Sequence, residues 1–224
     1  MTRRLGVLGG TFDPVHVGHL DAAAAARAAL GLDEVVFVPS HDPPHRPTHP
    51  HTTAFHRCAL VALAINGIDG YRLSDAELVR QGSSYTSDTL GALRAEGWAP
   101  AQIFFILGAD AFAEIATWHQ FPAVLDSAHF AVIARPGLTL ESALARTPAL
   151  HARARRAAAG PDAGGGTAIF LVEAVTRDVS STLIRSRLTA RQPIDDLVPP
   201  AVARHILAHH LYTEDELHAH DEDN

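Results

Sequence analysis

The chain holds one cysteine, Cys58, one methionine and two tryptophans among its 224 residues, and no apolar run approaches membrane-spanning length. A single thiol excludes an internal disulfide. The opening Met1-Thr2-Arg3-Arg4-Leu5 runs too soon into Gly and Asp to read as a signal peptide, so a cytoplasmic chain with no membrane partner is expected. Basic residues are also in deficit: 18 Lys and Arg against 25 Asp and Glu leave a formal net charge of −7. That balance argues against a broad nucleic-acid surface, so any anion must be met locally by positioned groups. A GxxxxGK[ST] P-loop is missing, the GxGxxG dinucleotide fingerprint does not fit the glycines, and no Ser-His-Asp-like or paired-carboxylate signature is present.

What is present supports a substantial core. Hydrophobic residues make up 47% of the chain, which predicts one compact domain over residues 1–212 and an acidic, His-bearing tail over 213–224. Apolar strands are expected at Leu5–Leu8, Val35–Val38, Ile103–Leu107, Phe130–Ala134 and Ile169–Val172, with a short extended segment around Leu73. Between them lie helical stretches at Leu20–Leu30, Ala54–Ile65, Ser87–Glu96 and Thr182–Leu188, a helix opened by Phe121-Pro122, and C-terminal helices from Pro199 onward that either cover the sheet or form a homo-oligomer interface. The Ala- and Arg-rich stretch from Leu138 to Gly166 reads as a helical excursion and a connector. Continuous apolar strands alternating with helices indicate a Rossmann-like α/β fold, a parallel sheet with helices on both faces. Ligands of such sheets bind beyond the carboxyl ends of the strands, where Gly9, Pro39, Gly108 and Arg135 fall.

The most specific string is Gly9-Gly10-Thr11-Phe12-Asp13-Pro14-Val15-His16-Val17-Gly18-His19, at the passage from a strand to a helix. Glycines let a phosphate approach the backbone, and free N–H groups at a helix start favour an anion. His16 and His19, three apart, project from one face and can each donate to a phosphate oxygen. A second string, Ser180-Ser181-Thr182-Leu183-Ile184-Arg185, combines an N-cap, hydroxyls and a guanidinium. Read alone, the first is also a glycine turn with two exposed histidines and the second an ordinary capped helix. His209-His210 with His218 and His220 suggest a transition-metal site, against the commoner reading of scattered solvated histidines.

Gly9 to His19 resembles the HxGH signature of the nucleotidyltransferase superfamily, and Ser180 to Arg185 resembles its SSTxIR element. Ser84-Tyr85-Thr86-Ser87-Asp88-Thr89-Leu90 resembles the SYTxDTL element of the nicotinate mononucleotide adenylyltransferases, which make the dinucleotide precursor of NAD. Pro43-Pro44-His45-Arg46 is similar to that family's PPH[KR] loop, Gly108-Ala109-Asp110 to its GxD turn and Arg135-Pro136-Gly137 to its arginine loop, while Trp118 stands at its substrate-stacking tryptophan. The motifs follow in family order from Gly9 to Arg185. Arg46 stands where Lys is common and His119 where an aromatic is common, which leaves the grip on the mononucleotide open.

The resemblance implies transfer of the adenylyl group of ATP to nicotinate mononucleotide, giving nicotinate adenine dinucleotide (deamido-NAD) and pyrophosphate. It casts His16, His19, Arg46 and Arg185 as catalytic. Gly9, Gly10, Thr11, Phe12, His19, Gly108, Asp110, Ser181, Thr182 and Arg185 would bind ATP, and His45, Arg46, Thr86, Trp118 and Arg135 the mononucleotide. Mg²⁺ would arrive on the triphosphate, with no protein metal cage. Two other readings share part of the pattern. A superfamily transferase acting on phosphopantetheine or an alcohol phosphate leaves Tyr85 to Leu90 unexplained, and a non-catalytic nucleotide sensor leaves His16, His19 and Arg185 without a task.

Overall fold

Among the described residues, seven strands form one parallel sheet in the order β3-β2-β1-β4-β5-β7-β6. The computed structural model describes residues 3–43, 50–80, 82–134, 144–145, 147–157 and 166–213. The strands are β1 (Leu5–Gly10), β2 (Glu34–Pro39), β3 (Tyr71–Leu73), β4 (Ile103–Gly108), β5 (His129–Ile133), β6 (Ala154–Arg156) and β7 (Ile169–Val172). The helices are α1 (Val17–Leu30), α2 (Ala54–Ile65), α3 (Thr86–Ala95), α4 (Ala109–Ala113), α5 (Ser181–Thr189) and α6 (Pro200–Ala208).

Period-two alternation divides the core between the two faces. On one face Leu8, Val35, Phe37, Phe104, Ile106, Ala131 and Ile133 pack with Ala23 and Ala26 of α1, Leu60 and Val61 of α2, and Val202 and Ile206 of α6. On the other, Val7, Val36, Val38, Phe105, Leu107, Phe130 and Val132 pack with Leu90 and Leu93 of α3 and Phe112 of α4. A sheet covered on both sides explains why these strands are continuously apolar. From β1 the chain builds outward through β2 and β3, then returns to lay β4 on the other side of β1. That reversal opens a crevice beyond the carboxyl ends of β1 and β4, the usual ligand position in such sheets.

Three expectations need correction. The segment from Leu138 to Gly166 contains an edge strand, β6, paired in parallel with β7 and preceded by a 3₁₀ stretch at Pro148–Arg153. Its sequence, Ala-Arg-Arg, carries no apolar run because it packs on one side only. Phe121-Pro122 opens no regular helix: Gln120 turns the chain with a φ of 62°, and a single 3₁₀ turn, Ala123–Asp126, follows. Finally, α1 starts at Val17 rather than Leu20, so the His-Val-Gly-His string forms the helix's own first turn. Among the described residues no helix is long and apolar enough to cross a membrane.

Candidate active site

A cleft of about 300 Å³ lies at the crevice between β1 and β4. Its floor is Gly9, Gly10 and Thr11 after β1 and Leu107 and Gly108 at the end of β4, and His16, Gly18, His19 and Ala22 of the α1 entrance form one wall. Ser84 and Thr86 at the start of α3, Glu77, Phe105 and Trp118 form the opposite side, and Asp110 stands in the first turn of α4.

The two histidines are held by their own backbone. His16 is the N-cap of α1, and its N–H donates to Nδ1 of His19 at 3.2 Å. The rings stack with centroids 3.7 Å apart, and Phe12 closes on His19 edge-on at 5.0 Å. Gly18 makes the stacking feasible: a Cβ there would lie 3.1 Å from His16 Nδ1 and 3.3 Å from the Arg177 carbonyl oxygen. With Nδ1 of His19 accepting, the proton of the neutral ring sits on Nε2. Phe12, expected as a nucleotide contact, has its side chain in the core, 2% exposed, with its ring edge-on to His19.

The second motif folds against the first across more than 160 residues of sequence. Ser180 caps α5 by accepting from the Leu183 N–H, Ser181 Oγ donates to the Pro14 carbonyl at 2.9 Å, and Arg185 donates to the Asp13 carbonyl at 2.6 Å and to Thr182 Oγ1 at 3.3 Å. Ser181 and Arg185 therefore grip the loop that carries His16, with Thr182 accepting from Arg185, while the adjoining cleft wall is Thr176, Arg177 and Val179. Trp118 combines two tasks. Its ring meets Phe105 at a right angle, 5.9 Å away, and is half-buried while lining the cleft. Beside it, His119 stacks on Tyr85 at 4.3 Å and exchanges a 3.1 Å hydrogen bond with Ser87, which ties the tryptophan turn to α3. His45, Arg46 and Arg135 lie outside the described residues, as do Pro44, Pro136 and Gly137.

Motif reading missed several groups. Arg57 is 1% exposed and gives its three arms to backbone carbonyls, Thr11 at 2.6 Å, His41 at 3.2 Å and Thr52 at 3.3 Å. A trace was legible: Arg57 shares one helical face with Leu60, Val61, Ala64 and Ile65, where a cation needs partners. Arg177 forks onto Asp21 at 2.7 and 2.8 Å, and this bonding pulls the Asp21 carboxyl below its ordinary range. Burial pushes the Glu77 carboxyl up. Ser40, 6% exposed on the cleft wall, has a hydroxyl without a hydrogen-bond partner among the described residues. The histidine-rich end condenses differently from its sequence pattern. His205 and His209 of the α6 end meet His56 of α2, with His56 Nδ1 3.1 Å from His205 Nε2. Among the described residues no group of His, Cys, Asp or Glu is arranged to hold a metal ion, and His218 and His220 lie outside them.

Residues 7–187 match the family described as cytidylyltransferase-like. A protein of Pseudomonas aeruginosa strain UCBPP-PA14, named "Probable nicotinate-nucleotide adenylyltransferase", is 41% identical over 214 residues, covering 95% of this chain and 98% of its own. The chain belongs to the nicotinate-nucleotide adenylyltransferase family. A second member of that name, from Symbiobacterium thermophilum, is 40% identical across 96% of this chain and 98% of its own. Among solved structures, the Plasmodium falciparum nicotinic acid mononucleotide adenylyltransferase complexed with NaAD superposes with a TM-score of 0.71 at 19% identity, over 94% of this chain and 97% of that one. At that identity the likeness concerns the fold, and the shared family supplies the order of motifs around the cleft.

Proposed function

We propose that the protein transfers the adenylyl group of ATP to nicotinate mononucleotide, releasing pyrophosphate and forming nicotinate adenine dinucleotide. The observation that carries this reading is the cleft itself: a stacked histidine pair at one helix entrance faces a tryptophan and a second helix entrance across a single crevice. One side suits a triphosphate, and the other suits a flat ring bearing an acid group. The nucleophile needs little help, because a phosphate monoester with a second pKa of about 6 is largely ionised near neutral pH. Its oxygen attacks the α-phosphorus, a new P–O bond forms, and the bond to the β-phosphate oxygen breaks with pyrophosphate carrying the electron pair away.

The protein's part is alignment and charge dispersal. His19 presents Nε2–H toward the phosphate position, and His16 backs it. The N–H groups at the start of α1 face the same anion. Gly9 and Gly10 leave the backbone open to it. Thr86, in the first turn of α3, offers N–H groups to the nicotinate carboxylate, and Trp118 offers its face to the pyridine ring. Mg²⁺ enters as part of the nucleotide substrate and neutralises triphosphate charge. His45, Arg46 and Arg135 complete the proposed grip on the mononucleotide.

The test is to supply Mg²⁺, ATP and either nicotinate or nicotinamide mononucleotide, and to follow pyrophosphate and dinucleotide together. Strong preference for the acid is the expected result. Equal use of both removes the carboxylate-binding role of Thr86, and no product from either overturns the reading.

A further inference from the structure

The functional reading leaves one buried titratable group on the cleft wall without a task. Glu77 lies in the turn between β3 and α3, 7% exposed, on the same wall as Ser84, Thr86 and Trp118. Its Oε1 accepts from the hydroxyl of Thr89, one turn into α3. The nearby Ser84 hydroxyl favours the ionised carboxylate, and its oxygen accepts from the His41 N–H at 2.9 Å. Ser84 and Thr89 bracket the entrance of α3, so the Glu77 carboxyl anchors that entrance through Thr89, while Ser84 links it to the segment after β2. The charged groups facing it are Arg80, which favours the carboxylate, and Asp88, which opposes it.

We propose that Glu77 is a positioning residue that also determines specificity: it braces the α3 entrance, and its charge sets how strongly the cleft prefers an acidic over an amidated mononucleotide. The inference rests on the functional reading above, with the pyridine substituent at the start of α3. A substrate carboxylate there gains from the helix N–H groups and is repelled by an ionised Glu77, whereas a neutral carboxamide meets no such repulsion. Burial already disfavours the ionised form, so an arriving anion adds to an existing bias, and the acid binds together with a proton taken up by Glu77. Preference for the acid is therefore greatest at low pH and declines as Glu77 ionises.

The experiment measures kcat/KM for nicotinate and nicotinamide mononucleotide from pH 4 to 8.5, from the ordinary carboxyl range upward, using the full chain and its E77Q and E77A variants. Ionisation of the substrate phosphate affects both substrates alike and cancels in the acid-to-amide ratio. For the unsubstituted protein the ratio is expected to fall roughly tenfold as pH rises, equivalent to about 1.4 kcal/mol. Gln keeps an oxygen acceptor for Thr89 and removes the charge, so E77Q should hold a flat ratio, at or above the low-pH value of the unsubstituted protein. E77A breaks the brace and should raise KM for both mononucleotides. A ratio already flat in the unsubstituted protein overturns the proposal without any variant, and so does an E77Q profile that tracks it. Dinucleotide formation by the unsubstituted protein with either of these outcomes leaves the functional reading standing, whereas no dinucleotide from either substrate overturns both.

Discussion

The backbone N–H of His16 donates to Nδ1 of His19 at 3.2 Å, so the residue that starts the helix also chooses which nitrogen of its neighbour carries the proton. In the proposed reaction, Nε2–H of His19 is the donor for a phosphate oxygen whose charge grows in the transition state. His19→Ala is expected to lower kcat about a hundredfold, with KM for ATP changing by only a few fold. Steady-state kinetics decide it, and an effect confined to KM contradicts the role.

Gly18 is where a methyl group would strike the His16 ring, with contacts of 3.1 and 3.2 Å. Gly18→Ala should displace that ring and reduce kcat while adding no penalty to helix propensity, since Ala favours a helix. The prediction fails if kcat is unchanged at unaltered thermal stability.

Arg185 is bonded to the carbonyl of Asp13 and to Thr182 Oγ1, and its guanidinium is mostly covered. Its removal loosens the loop beneath the proposed triphosphate site and subtracts a nearby positive charge. Arg185→Ala should raise KM for ATP about tenfold, roughly 1.4 kcal/mol, and KM for the mononucleotide less. The reverse order would exchange the two proposed pockets.

Arg57 supplies donors to three carbonyls in two loops, Thr11 after β1 and His41 and Thr52 between β2 and α2. Arg57→Met keeps the aliphatic stem and leaves those carbonyls short of donors, at about 1 kcal/mol each and about 3 kcal/mol in all. Urea unfolding should show a lower midpoint at unchanged slope. A stability within 0.5 kcal/mol of the original, roughly the scatter of neutral surface changes, would contradict the stapling role.

Burial first, and then His209 and His56, hold the His205 pKa below its ordinary 6.5. The folded state therefore prefers neutral His205, while the unfolded chain takes up a proton near pH 6.5. This contribution to stability is complete above that value and is lost as pH falls toward the depressed folded pKa. Melting temperatures measured from pH 7.5 to 5 should drop less steeply for His205→Gln than for the unsubstituted protein. His129, buried and shifted in the same direction, keeps part of the slope in both. Parallel curves would show that the His56–His205–His209 contact does not resist protonation.

The legible parts of this protein are those carried by local chemistry. The strands around Val7, Val36, Phe105 and Val132 announce themselves because both faces of the sheet are covered, which demands uninterrupted apolar runs. Glycine next to paired histidines marks an anion site for the same local reason. Edge strand β6 stayed hidden because Ala154–Arg156 draws its stability from pairing with β7 rather than from its own side chains.

By itself, then, the sequence determined the α/β class, the order of motifs and the residue types that can meet a phosphate, since each depends on periodicity or on neighbours within one turn. Only the tertiary structure decided that Ser181 and Arg185 grip the loop bearing His16, that Phe12 packs its ring against His19, and that Arg57 bonds to Thr11 and Glu77 to Thr89 at the cleft. The hydrogen bonds among those contacts join residues from 12 to 172 positions apart, with partners that depend on how the chain reverses at β1 and β4.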